Sequence, residues 1–263
     1  MKKIFVLISV LLMMLCGCAN GGKEETDLDY VKNKKTMIIG ITYFEPMDYI
    51  DDGDWVGFDA DLGRAVCEKL GVEPVFQEIS WEAKETELSS RTIDCIWNGL
   101  TYTDERAENM SMSDYYMLNK QVLAVRKDRA EEFKSSADLE NATIAVETGS
   151  AGEELAVELF GDKNIIGKSI QLDALTELLA GTVDAAILDY TMAYYLFNKA
   201  DGNFGSLQIL DGIIEAESEY YAIAFRKGSN LTAEVNEIIK GFKADGTIKN
   251  IAAKYGLQEA IVY

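Results

Sequence analysis

Histidine is missing from all 263 residues. Its absence excludes Ser-His-Asp and Cys-His nucleophilic chemistry and every metal site that needs an imidazole. Cysteine is scarce, and Cys16-Gly17-Cys18 sits in an apolar leader rather than in the two spaced pairs of a cysteine-only zinc site. No metal and no cofactor is therefore expected. Proline occurs twice and the glycines are scattered, which argues against disorder or a collagen-like repeat. Positive charge is short as well: Lys and Arg number 25 against 45 Asp and Glu, a net charge of −20. Such a surface repels phosphate, so no nucleic-acid partner is expected, and the acid excess reads first as solubility. What remains is a chain with 48% hydrophobic residues, enough for one large or two small globular domains.

The only long apolar run, Ile4 to Leu15, follows Lys2 and Lys3 and is broken only by Ser9. A spanning helix needs about 20 apolar residues, so this run fits the core of a secretory signal peptide instead. Leu15-Cys16-Gly17-Cys18 then resembles the bacterial lipobox, which implies cleavage before Cys18 and a lipid on its sulfur. Residues 1–17 are read as a signal peptide and 18–35 as a polar, flexible tether. Cys67 and Cys95 each lie in an apolar setting and read as buried free thiols, although an oxidising compartment would permit a disulfide.

Beyond the tether, short apolar runs alternate with helical stripes. Met37–Ile41, Val75–Ile79 and Cys95–Trp97 read as strands, with helices over Asp59–Leu70 and Lys84–Ser90 and from Thr103. The alternation resumes after Asn119, with strands at Gln121–Arg126, Thr143–Val146, Ile165–Ile170 and Ala185–Leu188. Helices fall at Ala151–Phe160, around Leu172–Leu179 and at Thr191–Asn198. A late strand at Tyr220–Phe225 and two helices close the chain. This pattern predicts an α/β fold with mainly parallel sheets. Leu88-x4-Ile93-Asp94-Cys95 and Leu178-x4-Val183-Asp184-Ala185 echo each other and hint at two lobes.

From Gly57-Phe58-Asp59-Ala60-Asp61-Leu62 onward the chain resembles family 3 solute-binding proteins, the polar amino acid receptors of ABC importers. The resemblance continues through Ile93-Asp94-Cys95-Ile96-Trp97-Asn98-Gly99-Leu100-Thr101-Tyr102-Thr103-Asp104-Glu105-Arg106, Ile187-Leu188-Asp189, Tyr221-Ala222-Ile223-Ala224-Phe225-Arg226-Lys227-Gly228 and Ala244-Asp245-Gly246-Thr247. It implies two Rossmann-like lobes joined by a two-segment hinge, the type II periplasmic binding protein fold. Lobe one would hold 36–118 and 221–263, and lobe two 119–220, with crossings near Met117–Lys120 and Glu217–Tyr220. The implied partners are a free amino acid, the permease and ATPase of an ABC importer, and the membrane through the lipid on Cys18.

The resemblance makes Arg106 the partner of the ligand carboxylate, because its planar fork donates two parallel hydrogen bonds. On sequence alone an intrahelical surface pair with Asp104 or Glu108 is the favoured reading, since most arginines are exposed; the Gly99-x-Thr101-x-Thr103-x-x-Arg106 match to the family reverses it. Thr101 would offer its hydroxyl and N–H, and Gly99 its carbonyl to the ligand ammonium. Asp189, at a strand end, would hold that ammonium, or else cap the helix after it. Gly149-Ser150-Ala151-Gly152 precedes a helix whose free N–H groups would receive the carboxylate from lobe two, with Ser150 offering its hydroxyl. Phe44 and Trp81 match positions of aromatics around the ligand side chain, with Tyr43 in place of Phe44 if the loop register differs by one; both could equally be core. Glu147 would either select a basic side chain or face solvent. Two other classes share the scaffold: a dehydratase-like enzyme, for which Glu147 is the one obvious acid–base group, and a sensory ligand-binding module.

Overall fold

The computed structural model describes residues 25–263; the leader, Cys18 and the first part of the tether lie outside the described residues. The first element corrects the tether reading. Asp27–Lys34 is a helix, not a flexible linker. Thr26 caps it by accepting from the Asp29 N–H, and Val31 is fully buried. Arg226 anchors it through Asp27 at 3.0 Å. Dense charge around a single buried valine hid these features, and lobe one starts with this helix rather than at Thr36.

The chain continues through β1 (Thr36–Ile41), a hairpin of β2 (Tyr49–Asp51) and β3 (Asp54–Val56), the helix Phe58–Leu70, β4 (Glu73–Glu78), the helix Lys84–Ser89, β5 (Cys95–Ile96), the helix Asp104–Asn109 and β6 (Met110–Met112). Then come β7 (Met117–Arg126), β8 (Ile144–Glu147), the helix Ala151–Phe160, β9 (Ile165–Lys168), the helix Gln171–Ala180, β10 (Ala185–Asp189), the helix Tyr190–Asn198 and β11 (Leu207–Ile209). β12 (Ser218–Tyr221), β13 (Ala224–Arg226) and the helices Leu231–Asp245 and Thr247–Lys254 complete it.

Two sheets organise the lobes. The first has the order β4-β1-β5-β13-β6, the second β11-β7-β10-β8-β9. Each has a parallel core, β4-β1-β5 and β10-β8-β9, flanked by antiparallel strands. The expected late strand at Tyr220–Phe225 is two strands. β12 pairs with the start of β7, placing Ser218 opposite Lys120 and Tyr221 opposite Met117, while β13 joins the first sheet. The two segments expected to cross between the lobes therefore run side by side.

The internal echo has a structural cause. The Asp94 carboxylate accepts the Ile38 N–H of the neighbouring parallel strand at 2.7 Å, and Asp184 accepts the Thr143 N–H at 2.9 Å beside β8. In each lobe an aspartate before one strand ties down the entry of the next. Trp97, Tyr116, Tyr221, Phe58 and Phe225 are the largest fully buried side chains. Each such side chain contributes about 2–3 kcal/mol of transfer free energy. Cys67 and Cys95 are buried free thiols.

Candidate functional site

Parallel strands carry their ligand edge at their C-terminal ends, where the chain leaves the sheet. Here β5 runs out into Asn98 and Gly99, β8 ends at Glu147 and β10 at Asp189. These ends face one another across a narrow cleft between the lobes, whose walls leave a cavity of only about 10 Å³. Phe44, Trp81, Asn98, Gly99, Thr101 and Arg106 form one wall; Glu147, Ser150, Ala151, Gln171 and Asp189 form the other. Every site residue expected within the fold lies on it, and Phe44 rather than Tyr43 is the aromatic. Cys18, the expected lipid site, lies outside the described residues.

Arg106 is only 4% exposed. Thr103 caps its helix by accepting the Arg106 N–H at 3.1 Å. The guanidinium donates to the Thr101 carbonyl at 2.7 Å and, across the cleft, to Glu154 at 2.7 Å. The partner is thus on the opposite lobe rather than Asp104 or Glu108. Glu154 itself is half-exposed.

Asp189 occupies the N-cap position of the helix Tyr190–Asn198, but its side chain does not cap. It accepts instead from the Tyr221 hydroxyl at 2.7 Å, from Asn119, Gln121 and Gln171, and burial raises its pKa. The hinge adds Glu219, which receives Thr101 Oγ1 at 2.9 Å, Asn119 at 2.6 Å and Gln121 at 2.7 Å. Burial, then the charge of Asp189, pushes the Glu219 pKa up to about 7. Glu147 is buried, and its pKa rises to about 8 for the same two reasons.

Gly99 shows why glycine is needed. Its φ is +57°, its N–H donates to Asp59 at 2.7 Å, and a Cβ there would lie 2.4 Å from the Phe44 ring. Ser150 caps the helix Ala151–Phe160 by accepting the Glu153 N–H at 3.1 Å. The free N–H groups of that first turn therefore open at the cavity wall. A guanidinium on one wall, a carboxylate on the other, and helix amides beside them suit a zwitterion.

Residues 37–258 match the bacterial extracellular solute-binding proteins, family 3. The chain belongs to that family. Among its relatives, the arginine-binding extracellular protein ArtP of Bacillus subtilis is 31% identical over 248 residues, 91% of each chain. The arginine-, lysine-, histidine-binding protein ArtJ from Geobacillus stearothermophilus superposes with a TM-score of 0.77 at 33% identity, covering 84% of this chain and 95% of that one. The ancestral amino acid-binding protein AncCDT-1, a precursor of cyclohexadienyl dehydratase, gives a TM-score of 0.79 at 29% identity, covering 87% and 98%. The two-lobed architecture of this family 3 protein is that of the type II periplasmic binding proteins.

Sequence reasoning missed Lys84, Asn119, Gln121, Glu154, Gln171 and Glu219. One signal was available. Asn119 and Gln121 are polar at alternate positions of β7, whose other inward residues are apolar, and alternation places both on one face.

Proposed function

We propose that this protein captures a free, polar or charged L-amino acid in the cavity between its lobes and delivers it to the permease and ATPase of an ABC importer. It works outside the cytoplasmic membrane, anchored by a lipid on Cys18 after loss of residues 1–17. Lobe two spans 119–220, and lobe one comprises the remainder of the folded chain. The observation that carries the reading is the pair Arg106 and Asp189 on opposing walls of one cavity.

Arg106 receives the ligand carboxylate together with the Ser150 hydroxyl and the first-turn amide of Ala151; the Ser150 N–H is committed to the Glu147 carbonyl at 3.2 Å. Asp189 receives the ammonium, helped by the Gly99 carbonyl and the Thr101 hydroxyl. Phe44 and Trp81 hold the side chain, and Glu147 faces its far end. Each lobe has only half of these groups, so ligand favours the closed arrangement by the difference in its affinity for the two states. Burial, then the charge of Asp189, raises the Glu219 and Glu147 pKa values to about 7 and about 8, and a ligand ammonium beside them favours their ionised forms. The chemistry is binding without turnover, in keeping with relatives that are named binding proteins.

Titration calorimetry of the twenty amino acids, cystine and ornithine tests this. Arg106→Ala and Asp189→Asn each remove one partner of a buried charge pair, costing about 2–5 kcal/mol, or roughly 30-fold or more in Kd. Native-like circular dichroism with unchanged affinity in either variant would remove that residue from the site.

A further inference from the structure

Lys84 is a second buried cation at the cleft that the amino-acid reading does not use. It begins the helix Lys84–Ser89 on lobe one and is 5% exposed. Its ammonium lies 4.9 Å from the centre of the Trp81 ring, a ring that lines the cavity. It donates to the Trp81 carbonyl at 3.2 Å and, across the cleft, to the Gly149 carbonyl at 2.8 Å. Gly149 stands between Glu147 and Ser150 on the opposite wall, so Lys84 approaches the wall that carries Glu147. An ammonium has three N–H groups. Two are committed to these carbonyls, and no third partner lies within hydrogen-bond distance among the described residues.

We propose that Lys84 is a specificity-determining residue. It stands against the Trp81 ring that lines the cavity, within electrostatic reach of Glu147, and so biases the site away from cationic side chains toward neutral ones that end in both a donor and an acceptor. A terminal amide or ureido group satisfies both: its N–H groups go to Glu147 and its carbonyl to Lys84. A guanidinium satisfies Glu147 but meets the ammonium with like charge. Burial and the neighbouring Arg106 already lower the Lys84 pKa to about 8, in line with an ammonium held where positive charge is costly. This inference rests on the amino-acid reading above.

L-Arginine and L-citrulline are near-isosteric and differ in this end group, and L-lysine against L-glutamine repeats the comparison with a shorter side chain. The Kd of each is measured by calorimetry for the secreted protein in mild detergent and for its Lys84→Met and Lys84→Arg variants. Loss of the Lys84–Gly149 contact weakens closure for all ligands alike, so that effect cancels in the ratio of citrulline to arginine Kd. A lost hydrogen bond to a charged group is worth roughly 10- to 100-fold. The ratio therefore rises by about tenfold or more in Lys84→Met and stays near the native value in Lys84→Arg. An unchanged ratio in Lys84→Met overturns the assignment of Lys84 while leaving the amino-acid reading intact. Failure of the native protein to bind any amino acid overturns both.

Discussion

Asp48 and Asp59 are two buried carboxyl groups beneath the ligand loops, and replacing Asp48 by asparagine tests how they share charge. Neither oxygen of Asp48 has a hydrogen-bond partner of normal geometry, and one oxygen of Asp59 is likewise alone. The other Asp59 oxygen holds the Gly99 N–H at 2.7 Å and the Tyr116 hydroxyl at 2.9 Å. Burial raises both pKa values, Asp59 to about 7 and Asp48 well above its ordinary range, where the Asp59 charge adds to burial. The Ala60 amide and Arg64 oppose this for Asp48, and the Trp97 indole for Asp59. Arg64, however, spends its guanidinium on the Trp55 carbonyl and Asp61. An acid whose folded pKa lies above its unfolded value keeps its proton in the native state while the unfolded chain ionises. Stability therefore falls as pH rises from about 4 to about 7. Raising Asp59 from 3.8 to about 7 corresponds to about 4 kcal/mol at most, at about 1.4 kcal/mol per unit. An asparagine in place of Asp48 cannot ionise, and its amide supplies an N–H in place of the shared proton. Asp48→Asn removes one of the two buried acids and should raise Tm at pH 8, each kcal/mol recovered being worth about 2–4 °C in a chain of this size. The gain should shrink toward pH 5, where the native pair is already protonated. Thermal melts of both proteins from pH 5 to pH 9 decide the matter. A variant that melts below the native protein by the same margin at every pH would refute the buried-charge argument.

Lys199, at the end of the helix Tyr190–Asn198, pairs with Glu45 of the other lobe at 2.6 Å, beyond the ligand cavity. Lys199 is half-exposed but Glu45 is buried, so losing the cation leaves a buried carboxylate unpaired and costs about 1 kcal/mol or more; Lys199→Met should speed ligand release about fivefold or more in stopped-flow measurements, and an unaltered release rate would show that the pair does not help hold the lobes closed. Gly99→Ala combines a positive φ with a Cβ 2.4 Å from the Phe44 ring, a strain of about 1–3 kcal/mol. It should lower Tm and weaken binding more than tenfold by displacing Phe44, and native affinity by calorimetry would contradict that packing.

Local signals resolved most of the fold. Ala151–Phe160 is bounded by a serine cap and a glycine stop, and both ends fell where the sequence put them. The β2–β3 hairpin was overlooked because Asp51-Asp52-Gly53-Asp54 reads as solvated charge, although Asp52 and Gly53 both take the positive φ of an Asp-Gly hairpin turn. The helix Asp27–Lys34 was lost for a similar reason, its one fully buried side chain outnumbered by charges. At the site, most residues of both walls came from short motifs. The polar layer behind Asp189 did not, because Asn119, Gln121, Gln171, Glu219 and Tyr221 meet only once the hinge strands pair. Lys84 stands close to Glu82 and Glu85, and nothing local separates it from an ordinary exposed lysine.

If the proposed ligand enters the cleft, one set of partners would be exchanged for another. Arg106 is nearly buried, yet its cross-cleft partner Glu154 is half-exposed. An exposed carboxylate loses little when water replaces its ion pair, whereas the buried guanidinium needs an anion wherever the lobes stand. On the proposed reading, a ligand carboxylate would displace Glu154 at small cost and inherit its interaction with Arg106. On the other wall, Asp189 and Glu219 share Asn119 and Gln121 as common donors, and the charge of Asp189 adds to burial in raising the Glu219 pKa. An ammonium placed between Asp189 and the Thr101 hydroxyl supplies the positive charge that this crowded pair lacks. Opposite ends of one zwitterion would thus correct opposite imbalances on the two walls, and neither a simple carboxylate nor a simple amine would correct both.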